Sequence, residues 1–210
     1  FMNNGELVFE DCRVPAANLL ASYGVARIQA GDAAGAVPLL AEAAGLEHAP
    51  GPCFARYLWA LGLSGELDTL RSVCDRALAE PPEDRAAIEQ LVDSLNEQRR
   101  PDDALALLER CCRLQPDDAR LQERLAMQIL SSRRHSEQRE LALAPAMQAV
   151  LLDRGGVGRS WLGLARAQVA VGQRERALES IEQARRHLPE ASGERQEIEQ
   201  ALVQLEARCR

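Results

Sequence analysis

The chain contains no lysine: all 25 of its basic residues are arginine. P-loop nucleotide binding, Schiff-base formation and lysine general-base chemistry are thereby excluded. Aromatic residues make up only 3% of the 210 positions, and no apolar run approaches the ~20 residues of a membrane-spanning helix. There are three histidines, His48, His135 and His187, far apart in sequence, and the six cysteines contain no CxxC pair. No zinc-ligand spacing exists, so no metal and no cofactor is expected. The motifs GxSxG, HExxH, GxGxxG and GxxxxGK are absent, and no active site or catalytic residue is expected. With a net charge of −7 and a pI near 5.1, the chain lacks the basic face of a nucleic-acid binder, and no nucleic-acid partner is expected.

The chain opens Phe1-Met2 without a charged-then-apolar leader, so it shows no secretory signal, and the start at Phe is read as that of a trimmed chain or an excised domain. Cys12, Cys53, Cys74, Cys111, Cys112 and Cys209 are read as reduced thiols in a cytoplasmic setting. For the vicinal pair Cys111-Cys112, one buried residue beside one partly exposed thiol is preferred over a redox pair. Arginine-only basic composition with abundant alanine points to a GC-rich bacterial genome.

What is present is a rhythm. Trp161, Gly172, Ala177, Ile181, Ala184 and Pro189 are separated by 11, 5, 4, 3 and 5 residues. Leu20, Gly31, Ala36, Leu40 and Ala43 repeat the intervals 11, 5, 4 and 3. Phe54, Gly65, Leu70, Cys74, Ala77 and Pro82 follow the same spacing, as do Ile88, Arg99, Ala104, Leu108, Cys111 and Pro116. Ala36, Leu70 and Ala104 are 34 residues apart, and Ala177 lies 73 beyond Ala104, so an irregular unit at about 117–155 lies between. Each unit reads as two helices. Small residues let the helices approach to ~8–10 Å. Gly31, Gly65 and Gly172 suit a left-handed residue at the end of the first helix. Pro82, Pro116 and Pro189 stop the second helix, and the acidic pairs Glu83-Asp84 and Asp117-Asp118 after two of them supply an N-cap for the next unit.

The 34-residue period and the W…G…A…A…P spacing resemble tetratricopeptide repeats over about residues 16–190. The resemblance implies an all-α fold, a right-handed superhelical α-solenoid of antiparallel helix pairs. The expected organisation is an N-terminal extension at 1–15, five repeats at 16–190 and a capping helix at 191–210, whose Ile198, Leu202 and Leu205 share one face. The sequence departs from the family pattern at Leu70, at Arg99 in the turn-glycine slot, and at the insertion before Pro145, which is expected to kink or re-space its helix. The glycine-rich Arg154–Ser160 segment is read as an inter-repeat loop, and His187 as a residue near a helix C-terminus.

In such repeats the first helices line a concave groove that takes peptides. Positions two, five, six, nine and twelve of each first helix point away from the neighbour-packing side. The candidate groove residues are Arg56, Trp59, Glu89, Gln90, Asp93, Arg120, Glu123, Arg124, Met127, Arg159 and Arg166. For Trp59 a core position and a groove position weigh equally. Positions five and nine of the first repeat are Ala21 and Val25, not the Lys and Asn with which co-chaperones of this family hold a C-terminal carboxylate, so that clamp is not expected. The expected function is a non-catalytic protein–protein interaction scaffold for a peptide or partner protein, with an acidic or carboxylate-bearing segment as one expectation for the arginines. The alternative is the substrate-recruiting arm of a larger bacterial enzyme such as a transferase or hydroxylase. Self-association through open repeat ends is a third reading.

Overall fold

A computed structural model describes residues 16–45, 51–132, 139–190 and 192–209. The proposed extension at 1–15, Cys12, His48, His135 and most of the insertion lie outside the described residues. Among the described residues there are eleven α-helices and no strand. The chain divides into two compact units, 1–73 and 74–210.

The first unit holds α1 (Ala16–Gln29), α2 (Ala33–Gly45), α3 (Gly51–Ser64) and the start of α4 (Leu67–Ala79). Its core is built from small residues and leucines: Ala17, Ala21, Ala36, Leu40, Ala43, Leu58, Ala60, Leu61 and Leu70 are all buried. Leu70 therefore occupies the slot that Ala36 fills one repeat earlier, with both side chains inside. Pro38 sits within α2. It removes one intrahelical donor without ending the helix, a position the sequence pattern does not flag.

The second unit continues from α4 through α5 (Arg85–Glu97), α6 (Pro101–Leu114), α7 (Ala119–Ser131), a 3-10 turn (Arg139–Ala142), α8 (Leu143–Leu152), α9 (Gly158–Ala170), α10 (Arg174–Arg186) and α11 (Ser192–Cys209). The short connections make successive helices antiparallel. Asp84 caps α5 by accepting from the Ala87 amide at 2.9 Å, and Asp118 caps α7 by accepting from the Arg120 and Leu121 amides at 2.9 and 3.1 Å. α11 buries Ile198, Leu202, Leu205 and also Cys209 against Leu162, Ala165, Ala177, Ile181 and Ala184.

The turns explain the rhythm. Gly31, Gly65 and Gly172 have φ of 83°, 77° and 79°. In each turn the following amide donates back to the carbonyl five residues earlier: Asp32 to Arg27, Glu66 to Leu61 and Gln173 to Gln168. Such a closure requires one left-handed residue, which costs glycine little. Arg99 takes the same role with φ of 59°, and Arg100 donates to Leu95. The departure in repeat three is therefore accommodated by straining an arginine, not by changing the turn.

Two expectations are corrected. Pro145 does not kink a helix. It lies buried in the first turn of α8, where its missing N–H is not needed, and the preceding 3-10 turn does the re-spacing. The Cys111-Cys112 pair is buried at both positions, 1% and 7% exposed.

Candidate protein-binding face

The first helices of the second unit are α5, α7 and α9, with α11 following α10. Glu89, Asp93, Arg120, Glu123, Arg124 and Arg159 meet on their shared side. Arg120 Nε donates to Glu89 Oε1 at 2.9 Å, and its Nη1 donates to Glu123 Oε2. Arg159 Nε donates to the other Glu123 oxygen at 3.2 Å, and Arg159 Nη1 reaches Glu194 Oε1 at 3.4 Å. Arg124 donates to Asp93. The ladder Glu89–Arg120–Glu123–Arg159–Glu194 thus ties α5, α7, α9 and α11 together.

The spacing of these pairs follows from the repeat. Glu89–Arg120 and Asp93–Arg124 are both separated by 31 residues, one 34-residue period less about one helical turn. Glu123–Arg159 is separated by 36 and Met127–Arg166 by 39, because the insertion lengthens the fourth unit. Side chains point toward the helix N-terminus, so a residue meets its neighbour's counterpart one turn away.

Position five is less free than the sequence pattern implies. Glu123 is only 6% exposed, and Ala21 and Leu162 are buried as well. Two guanidiniums occupy both oxygens of Glu123. Burial opposes charge on Arg120, but Glu123 and Glu89 outweigh it and raise its pKa. Arg166 differs. It is half-buried, its Nη1 donates only to the Met127 sulfur at 3.9 Å, and no carboxylate among the described residues lies within 4.0 Å of it. Burial lowers its pKa, Glu123 raises it and Arg159 lowers it further, leaving it below the ordinary arginine value.

Gln90 on α5 and Met127 on α7 are both half-buried. Beside the ladder an open cleft of about 720 Å³ is lined in part by Arg85, Asp118, Glu123, Asp153, Arg159 and Glu194. Of these, Arg85, Asp118, Asp153 and Glu194 fall outside the groove positions of the repeat pattern. They lie at or near helix ends, where position counting along a helix has no signal for them. Trp161 Nε1 donates to the Gly155 carbonyl at 2.9 Å, so the Arg154–Ser160 loop is fastened to α9. In the first unit, Arg56 is half-buried on α3 and Trp59 is 40% exposed. Of the two positions open to Trp59, the structure thus gives it the surface and not the core.

His187 is the C-cap residue of α10 and accepts the Gly158 amide on its carbonyl at 3.0 Å. No group of three or more candidate metal ligands occurs among the described residues. No helix there is long and apolar enough to cross a membrane.

Residues 85–127 match the family model described as Tetratricopeptide repeat. The chain carries a tetratricopeptide repeat within a tetratricopeptide-repeat fold. The solved structures extend that fold beyond the matched repeat. TTC0263, a thermophilic TPR protein from Thermus thermophilus, matches with a TM-score of 0.58 at 17% identity, over 90% of this chain and 100% of that one. MamA from Desulfovibrio magneticus RS-1 matches with a TM-score of 0.58 at 22% identity, over 82% of this chain and 94% of that one. YrrB, whose structure is described as a TPR protein with an unusual peptide-binding site, matches with a TM-score of 0.56 at 15% identity, over 88% and 92%. No curated protein matches the chain in sequence. The tetratricopeptide-repeat resemblance of the first helices is therefore a statement about fold, and the use of their shared face is a separate matter.

Proposed function

We propose that the chain is a non-catalytic interaction scaffold whose first-helix faces hold an extended segment of a partner protein. The observation that carries this reading is the row of side chains on α5, α7 and α9. It presents preoriented guanidiniums and carboxylates beside an open cleft of about 720 Å³. Fixed arginines are among the residue types that dominate protein interfaces. Ordering them before binding lowers the entropic cost of association. Among the carboxylates of this stretch, Asp84 caps a helix, and Glu89 and Asp93 hold arginines. No structural observation favours the enzyme-arm alternative. The five described cysteines are free and buried, which supports the reading of a reducing, cytoplasmic setting.

The test is a set of dodecapeptides selected from a random display library against the whole chain and measured by titration calorimetry. The Arg124→Ala/Arg166→Ala double variant weakens binding of the selected peptides about tenfold while circular dichroism stays unchanged. Equal affinity for the wild type and the variant refutes the assignment of the face.

A further inference from the structure

We infer that the outer face of α8 is a self-association surface, on which a second copy of the chain docks its own α8 antiparallel. This goes beyond the reading of the first-helix face and does not rest on it. α8 follows Leu141 of the 3-10 turn and presents Ala144, Met147, Gln148 and Leu151 to solvent. Steps of three and four residues put these on one stripe of the helix. The opposite side is committed to the core, where Ala146 and Val150 pack with Ile129 of α7 and Leu164 of α9. Leu141, Met147 and Leu151 are each about half exposed or more. The other second helices of this unit are not built this way. α6 includes five charged residues and α10 seven, whereas α8 has none. A contiguous apolar strip on a surface helix marks a contact with another macromolecule.

The charges at the two ends of the strip say which one. Glu140 precedes it and Arg154 follows it, each seven residues from Met147. Both are exposed, and neither makes an ion pair among the described residues. The ten-residue helix between them is about 15 Å long, too far for the two to neutralise each other. In a two-fold pair with the helices parallel, each residue faces its own copy, so Glu140 meets Glu140 and Arg154 meets Arg154. In an antiparallel pair Glu140 meets Arg154 of the second copy at both ends, and Met147 meets its own copy at the two-fold axis. Arg139 and Asp153 are the remaining charges of these flanks. They adjoin Glu140 and Arg154, and Asp153 already accepts from the Ser160 hydroxyl. Negative before the strip and positive after it is a pattern that complements itself when reversed. A second copy carries that reversed pattern by construction, whereas a foreign helix would have to supply both charges in the opposite order.

Glu140 and Arg154 also suit the dipole of α8 itself, so the experiment has to separate the two roles. It is sedimentation velocity of the whole chain over a range of concentrations, with circular dichroism as the check on folding. One short helix makes a small interface, so a reversible dimer with a Kd on the order of 100 µM is expected, and at a few micromolar the chain is a monomer. Met147→Glu sets two carboxylates against each other at the axis and abolishes the dimer. Glu140→Arg alone and Arg154→Glu alone each weaken it at least about tenfold. The Glu140→Arg/Arg154→Glu double exchange in one chain restores it, and so does an equimolar mixture of the two single variants. A role confined to the helix dipole gives the reverse order, with the double exchange the most damaging. Arg124→Ala/Arg166→Ala leaves the dimer unchanged, so this inference and the reading of the first-helix face fail separately. A chain that stays monomeric at about 1 mM overturns the proposal. So does a dimer that Met147→Glu leaves intact, which places the association on another surface such as the open repeat ends. A dimer that the double exchange fails to restore overturns the antiparallel docking.

Discussion

Two neighbouring helix pairs of the second unit, α5–α6 and α7–α8, use their apolar residues in opposite ways. α5 buries Ala87, Ile88, Leu91, Val92 and Leu95, and α6 buries Ala104, Leu105, Leu107, Leu108, Cys111 and Cys112. Both keep most of their polar residues outside. α8 is richer in apolar residues than either, yet it buries only Pro145, Ala146, Ala149 and Val150. Met147 and Leu151 remain 53% and 68% exposed, and Leu141 of the 3-10 turn 49%. Apolar content is therefore a poor guide to packing here. In α5 and α6 the large apolar residues lie inside except Leu114 at the end of α6, 68% exposed, whereas α8 packs small residues and leaves Met147 and Leu151 outside.

The largest effect should separate the two pairs directly. Leu91→Ala removes a fully buried side chain and is expected to cost about 2–5 kcal/mol. Leu151→Ala removes an equal volume from the surface of α8 and should change stability by no more than about 0.5 kcal/mol. Urea unfolding of both variants checks this, and similar losses would break the comparison. Gly158→Ala comes next. A Cβ at Gly158 would lie 2.6 Å from the His187 carbonyl oxygen and 2.7 Å from that of Ala184. Backbone cannot rotate away as a side chain does, so a loss of about 1–3 kcal/mol is expected. Gly193→Ala, where a Cβ meets nothing within 4 Å, is the control.

The well-packed pair also carries an alkaline weakness that the loosely packed one lacks. Burial, aided by Cys111 and Asp118, pushes the Cys112 thiol up from 9.0 to about 12. The folded chain then retains a proton that the unfolded chain releases. The stability this contributes is complete below about pH 9 and drains away as the pH rises toward about 12. Cys112→Ala should flatten that decline, measured by urea unfolding at about pH 7 and about pH 10.5. An identical decline in the variant would place the weakness elsewhere. Raised thiol pKa values also remove the thiolate that a redox role for Cys111-Cys112 requires.

Hairpin turns and caps are readable in the sequence because each depends on one residue in one backbone state. Gly31, Gly65 and Gly172 are left-handed where the rhythm puts them, and Asp84 and Asp118 cap the helices they precede. The binding face is legible only as a set of positions. Residue counting places Arg120, Glu123 and Arg159 on one side, but it does not reveal that Glu123 is buried between the two arginines. That depends on helix separation and on the missing side chain at Gly163. It also cannot distinguish Arg124, which is paired, from Arg166, which is not, because both are arginines at outward positions. Pro145 misleads for a similar reason: a proline is disruptive or harmless according to where the helix starts, and the insertion hides that start.

The smallest predicted effect has the opposite sign and falls on the one turn of the well-packed pair that departs from glycine. Arg99 closes its turn with φ of 59°, doing with a side chain what Gly65 does at 77° without one. The hydrogen bond it serves, Arg100 N–H to the Leu95 carbonyl at 2.9 Å, is the same closure found after Gly31, Gly65 and Gly172. The Arg99 side chain is exposed, and it makes no ion pair among the described residues that the substitution would remove. Replacing it with glycine relieves the left-handed strain, worth about 1–2 kcal/mol, against a smaller entropy loss on ordering the turn. Arg99→Gly should therefore stabilise by a few tenths to about 1 kcal/mol, and Gly65→Ala should destabilise by a similar amount. If Arg99→Gly instead destabilises, the third turn is held by its side chain, and the uniformity of the four turns is one of geometry and not of cause.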